Sequence, residues 1–164
     1  MDDKLAELIT QAARQSDLDP ALVWAICKQE SGMNPLAVRH EPAYKWVCKP
    51  VENKPHGCSL DTERMLQKTS FGLMQVMGAV FREYGFKGWL SEIITQPALQ
   101  LEYGCKHLKR KLAKYGSEGG IVAYNSGSPR YNAQGKYVNQ YYLDNVLKYA
   151  ETAVATGLLP NMNK

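Results

Sequence analysis

The chain has 164 residues, of which 45% are apolar and 22% charged, and a formal net charge of +4. This length and balance give a single globular domain, 1–164, with room for one sizeable insertion, and four cysteines are too few for a disulfide scaffold at this size. The mild basic excess suits an anionic polymer as partner, but no nucleic-acid motif accompanies it and no stretch is long and apolar enough to span a membrane. The basic run "KHLKRKLAK" reads as the solvated face of one helix. The opening "MDDKLAELITQAARQ" has neither a basic n-region nor an unbroken apolar h-region, so synthesis in the cytoplasm without a signal peptide is expected.

In chain order, Leu5, Leu8, Ile9, Ala12 and Ala13 recur at helical spacing and predict a helix from Asp3 to about Gln15. Asp19 followed by Pro20 predicts the N-cap and first residue of a second helix, running to about Ser31. From about residue 40 to 69 the sequence turns irregular, which predicts a long loop or insertion with a short helix in "LDTERMLQK". "SFGLMQVMGAVFREYG" predicts a buried turn leading into a helix that ends near Gly85. A long helix follows between Pro97 and Gly116, with Leu101, Cys105, Leu108 and Leu112 as its apolar stripe. "EGGIVAYNSG" is a short helix, "SPRYNAQGK" a loop and "VNQYYLDNVLKYAETAVATG" the last helix. No strand alternation or internal repeat is evident, so the fold class is all-α, or mainly α, with six to eight helices.

One residue conflicts with its setting. At 3.6 residues per turn, Leu22, Val23, Ile26 and Cys27 share a face, with Trp24 and Lys28 opposite. Glu30 falls on that apolar face. A carboxyl turned toward a core or a cleft favours its protonated form, which a general acid requires. The structural alternative is a Glu that caps a neighbouring helix or pairs with a buried cation.

Three short words follow in order: "ES" at Glu30–Ser31, "GLMQ" at Gly72–Gln75 and "AYN" at Ala123–Asn125. Together, after "LDPALVWAICKQESGMNP", they resemble the lytic transglycosylase (SLT) family of the lysozyme-like superfamily, to which goose-type lysozymes are related. The resemblance runs from about Asp19 to about Tyr149. It implies a lysozyme-like helical domain that cleaves the β-1,4 bond between N-acetylmuramic acid and N-acetylglucosamine in peptidoglycan. Glu30 matches the family's single essential carboxyl. Ser31, Gly72, Met74, Gln75, Tyr124, Asn125 and Tyr142 match positions that line the sugar site. Four of them also have a structural reading: Ser31 as a polar residue at a helix C-terminus, Met74 as core, Asn125 as a helix C-cap and Tyr142 as packing.

The segment 40–69 departs from many family members, in which a short loop joins "ES" to "GLMQ". It brings Tyr44 and Trp46, a candidate stacking platform, and Glu63, while Glu41 and Asp61 read most simply as solvated loop charges. Glu41 and Asp61 are candidates for a second carboxylate that would make the enzyme a hydrolytic muramidase. Cys48 and Cys58 either bridge this loop or remain thiols. His56 lies beside them, but paired CxxC spacing is lacking, so no metal is expected. No cofactor is implied either. The remaining expectations are a monomer acting on the bacterial cell wall, in a phage particle or in a secretion or conjugation apparatus, and, as the weakest reading, an inactive glycan-binding module.

Overall fold

The computed structural model describes residues 3–159. It is 60% helical with one small sheet, so the mainly α expectation holds. Two compact units are present: one is built from the chain up to Gln29 and from Cys105 onward, the other from Glu30–Gly104.

The first unit is cored by helices whose bounds follow the sequence pattern. α1 (Asp3–Gln15) buries Ala6, Ile9, Thr10 and Ala13, and the Thr10 hydroxyl donates to Ala6 O at 2.8 Å, satisfying itself within the helix. α2 (Pro20–Ser31) begins as predicted, with the Ala21 N–H donating to Asp19 Oδ1 at 2.9 Å. Its burial corrects the expected one-sided stripe. Trp24 is buried along with Ala21, Val23, Ala25, Ile26 and Cys27, while Leu22 is only half-buried. A helix enclosed nearly all round has no single apolar face for periodicity to find. α6 (Pro97–Tyr115) enters this unit at Cys105 and buries Cys105 and Leu108. α7 (Ser117–Ser126) buries Gly119 through Ala123, and α8 (Gln140–Ala155) buries Tyr142, Leu143, Val146 and Ala153. Between α7 and α8, Tyr131 and Tyr137 form an isolated antiparallel bridge and stack their rings at 4.9 Å.

The second unit contains what periodicity missed. β1 (Val38–His40), β2 (Thr69–Phe71) and β3 (Val76–Met77) form an antiparallel sheet in the order β1-β2-β3. Strands of two and three residues are too short to display an alternation, and all three residues of β2 are buried. The register sets Val38 against Phe71, Arg39 against Ser70 and His40 against Thr69, then Phe71 against Val76. Gly72–Gln75 is therefore the four-residue loop of the β2–β3 hairpin.

The predicted irregular segment is likewise ordered. It leaves β1 at His40, forms an unexpected α3 (Pro50–Asn53) and then α4 (Leu60–Gln67), the short helix expected in "LDTERMLQK", and returns into β2 at Thr69. Ser59 caps α4, accepting from Thr62 N at 3.0 Å. α5 (Gly78–Glu83) and a 3-10 turn (Leu90–Thr95) lead to the start of α6. No helix among the described residues is long and apolar enough to cross a membrane.

Candidate active site

Glu30 lies in the last turn of α2, half-buried, just beyond the fully buried Ile26 and Cys27. Its neighbour Ser31 donates its hydroxyl to the carbonyl of Leu73 at 2.8 Å. That bond fixes the end of α2 to the Gly72–Gln75 hairpin. The first two of the three sequence words thus meet physically, although 42 residues separate the bonded pair.

The hairpin loop is held from inside by a residue that the sequence reading did not select. Gln100, fully buried on α6, accepts from Leu73 N at 3.0 Å and donates its amide nitrogen to Ile93 O at 2.8 Å and Pro35 O at 3.0 Å. Gly72 has φ +71°, and a Cβ built on it would sit 2.1 Å from the Gln100 amide. Glycine is required there twice over, by conformation and by space. The available signal was a polar residue beside Leu101 on the buried stripe, one turn before Gly104. Met74 is fully buried, and a Cβ at Gly104 would come within 2.3 Å of its sulfur. Met74 is therefore seated in a slot that glycine leaves open on α6.

Gln75 adopts φ +48°, unusual for a residue with a side chain. Its amide nitrogen donates to Gly72 O at 2.8 Å and Ala37 O at 3.1 Å, and its carbonyl accepts from Ser70 Oγ at 2.9 Å. Both amide protons are thus committed to bracing β1 and the hairpin, which leaves one lone pair of Oε1 for another partner.

The other candidates belong to the first unit. Tyr124 is half-buried on α7 and meets the His107 ring edge to face at 5.4 Å. Burial pushes the His107 pKa down to about 4, with Lys111 and then Arg110 acting in the same direction. Asn125 is exposed and accepts from Asn139 Nδ2 at 3.0 Å; the same nitrogen reaches Val122 O at 3.3 Å. Asn139, also missed in the sequence, thereby ties the end of α7 to the start of α8, where Tyr142 is buried.

In the insertion, Glu41 pairs with Arg39 at 2.6 Å. Asp61, its side chain 96% exposed, stands 3.7 Å from Arg64. Glu63, which the sequence gives no reason to bury, is fully buried. Arg82 grips it through Nε at 2.8 Å and Nη2 at 2.9 Å, and Gln67 donates to it at 2.8 Å. The bidentate fork meets both carboxylate oxygens, which is what makes a buried pair tolerable. Cys48 and Cys58 are free thiols. Their sulfurs turn to different partners, Asn53 Nδ2 at 3.7 Å and Ser59 O at 3.4 Å. Among the described residues no group of three or more His, Cys, Asp or Glu is placed to hold a metal ion.

A model of the transglycosylase SLT domain family matches residues 7–146. No curated protein matches the chain at a significant level. The matched span covers most of the chain and takes in Glu30–Ser31, the Gly72–Gln75 hairpin, Ala123–Asn125 and Tyr142. With a mainly α fold and a small sheet around that hairpin, the chain belongs to the SLT transglycosylase domain family, a lysozyme-like, lytic transglycosylase-type family of peptidoglycan-degrading proteins.

Proposed function

We propose that this protein is a peptidoglycan lytic transglycosylase acting as a single catalytic domain, with Glu30 as its acid and base. The observation that carries this reading is the bond from Ser31 to Leu73, which sets Glu30 at the end of α2 beside the Gly72–Gln75 hairpin. Glu30, as a carboxylic acid, protonates the glycosidic oxygen between N-acetylmuramic acid and N-acetylglucosamine. The muramic N-acetyl oxygen bonds to C1 as the glycosidic bond breaks. Glu30, now a carboxylate, takes the proton from the muramic O6 hydroxyl. O6 displaces the acetamido oxygen at C1, leaving a 1,6-anhydro end and a carboxyl ready for the next cycle. No water is consumed, so one carboxyl suffices, in contrast to the pair used in ordinary glycoside hydrolysis.

The remaining matched side chains hold the sugar. By the family resemblance Tyr124, Asn125 and Tyr142 act on the sugar, and Gln75 has the remaining lone pair of its carbonyl to offer. Glu41 and Asp61 each stand beside an arginine, which favours their reading as surface charges over a water-activating role. The place of action is the bacterial cell wall, reached as a monomer carried by a phage particle or by a secretion or conjugation apparatus.

The test is mass spectrometry of muropeptides released from purified peptidoglycan by the wild type and by Glu30→Gln. The expected products carry 1,6-anhydromuramic ends, one water lighter than hydrolysed ends and inert to borohydride. Glu30→Gln should lower the rate by a factor of about 10² or more. Cleavage at the wild-type rate by Glu30→Gln would remove Glu30 from its role. Reducing ends would make water the nucleophile and turn attention to Glu41 and Asp61.

A further inference from the structure

The insertion between β1 and β2 takes no part in the reaction just described, yet it is built to hold one loop still. Its neck is closed by the His40–Thr69 strand pair and by Glu41 N–H donating to Lys68 O at 2.8 Å. At one end of the loop, Pro42 O accepts from Lys68 Nζ at 3.2 Å. At the other, the Cys48 N–H donates to Gln67 Oε1 at 2.6 Å, while Cys48 O accepts from Gln67 at 3.0 Å and from Asn53 at 2.9 Å. Gln67 is in turn fixed on the buried Glu63–Arg82 pair, and Asn53 accepts from Lys87 Nζ at 2.7 Å. Residues 42–48 therefore span two anchors with no helix or strand of their own.

On this braced loop Trp46 is 71% exposed. Tyr44, half-buried below it, meets its ring edge to face at 5.5 Å and 70°. An indole left in water forgoes most of the burial that usually holds it in a fold. Exposed Lys45 and Lys49 flank it in sequence, so the same short segment offers two cations to a ligand lying on the indole. That composition suits a hydroxylated ring bearing carboxylates better than a protein partner, whose anchor would be ringed by water-excluding contacts.

We propose that Trp46, propped by Tyr44, is an accessory binding platform for the peptidoglycan strand: a pyranose ring lays its C–H face on the indole, and Lys45 and Lys49 meet the carboxylates of the peptide stems. This rests on the SLT family's substrate class. The platform serves retention and placement of a long strand, not bond cleavage.

Wild type, Trp46→Ala and Trp46→Tyr are compared by co-sedimentation with purified insoluble peptidoglycan in the cold, and by KM and kcat on the same material. Trp46→Ala should weaken retention and raise KM about five- to tenfold with kcat nearly unchanged, while Trp46→Tyr recovers most of the loss because it keeps a stacking face. Thermal unfolding should be unaltered in both, since the side chain lies outside the core. Retention of Trp46→Ala equal to wild type overturns the platform, as does equal loss in Trp46→Ala and Trp46→Tyr. So does a defect confined to association with another protein. A wild type that sediments with peptidoglycan but does not cleave it would sink the proposed reaction, and the binding series would still decide on Trp46.

Discussion

At Gly72, one missing methyl group joins three parts of the protein. The family resemblance gives this glycine a position lining the sugar site. The structure supplies a prior reason, since the amide of Gln100 fills the space where a Cβ would project. Gly72→Ala must adopt a left-handed conformation and also displace Gln100 from Leu73, Ile93 and Pro35. The expected cost is ~3 kcal/mol, from the left-handed backbone and the buried groups left unpaired. Urea unfolding should read this loss, with a parallel fall in peptidoglycan cleavage; a stability change below the error of the extrapolation would contradict the lock. His107 makes a second residue-scale prediction. An unfolded imidazole titrates near ~6.5, whereas burial holds His107 near about 4 in the folded chain. Between those values the unfolded state binds the extra proton, so stability falls as pH drops through the window and does not change on this account above it. His107→Phe, which keeps a ring against Tyr124, should remove that part of the slope. Identical profiles for the two proteins from pH 7 to pH 4 would show that His107 is not held neutral.

At the level of elements, length decided what the sequence could show. α1, α6 and α8 run for 13, 19 and 16 residues, long enough for a stripe to repeat. β2 and β3 offer three and two residues, and no alternation can be read from so few. α3 was obscured differently, since its one buried position is Asn53; α4 was expected as a short helix, but its buried positions, Glu63 and Gln67, are ones any hydropathy pattern assigns to the surface. The Glu63–Arg82 pair is the centre of that polar packing. Glu63→Ala leaves a buried guanidinium without its counter-charge and should cost ~3–5 kcal/mol. Replacing both partners with apolar residues of similar volume should recover most of the loss. Calorimetric unfolding of the single and double variants checks both statements, and a single variant as stable as wild type would show the pair to be dispensable.

Across the whole molecule, two kinds of interior coexist. Of the eight buried polar or charged residues among the described ones, Thr10 alone belongs to the first unit; Asn53, Glu63, Gln67, Thr69, Ser70, Arg82 and Gln100 all belong to the unit Glu30–Gly104. Among the described residues, no buried side-chain nitrogen or oxygen lacks a partner. This division explains how far the sequence could be read. Periodicity works where apolar side chains fill the core, and it fails where hydrogen bonds do. The candidate site was legible for a different reason. Glu30–Ser31, Gly72–Gln75 and Ala123–Asn125 are recognisable as words in a fixed order. What holds those words in place was not legible, because Gln100 and Asn139 act on backbone and side-chain groups far along the chain and belong to no motif. The net charge of +4 gave only a direction, toward an anionic polymer, and the family match supplies the chemistry of that polymer.

The fit between Gly72 and Gln100 also bears on how this fold can be reused. The hairpin is local in sequence, but the group that fills it comes from α6, 28 positions later. Grafted onto another scaffold without that helix, residues 70–77 would carry a floppy glycine over an empty notch. In this fold the two positions are coupled: a side chain at 72 collides with Gln100, and shortening Gln100 leaves the loop unsupported. The turn therefore depends on a pair of distant positions, and a library that varies one while fixing the other would sample mostly destabilised chains.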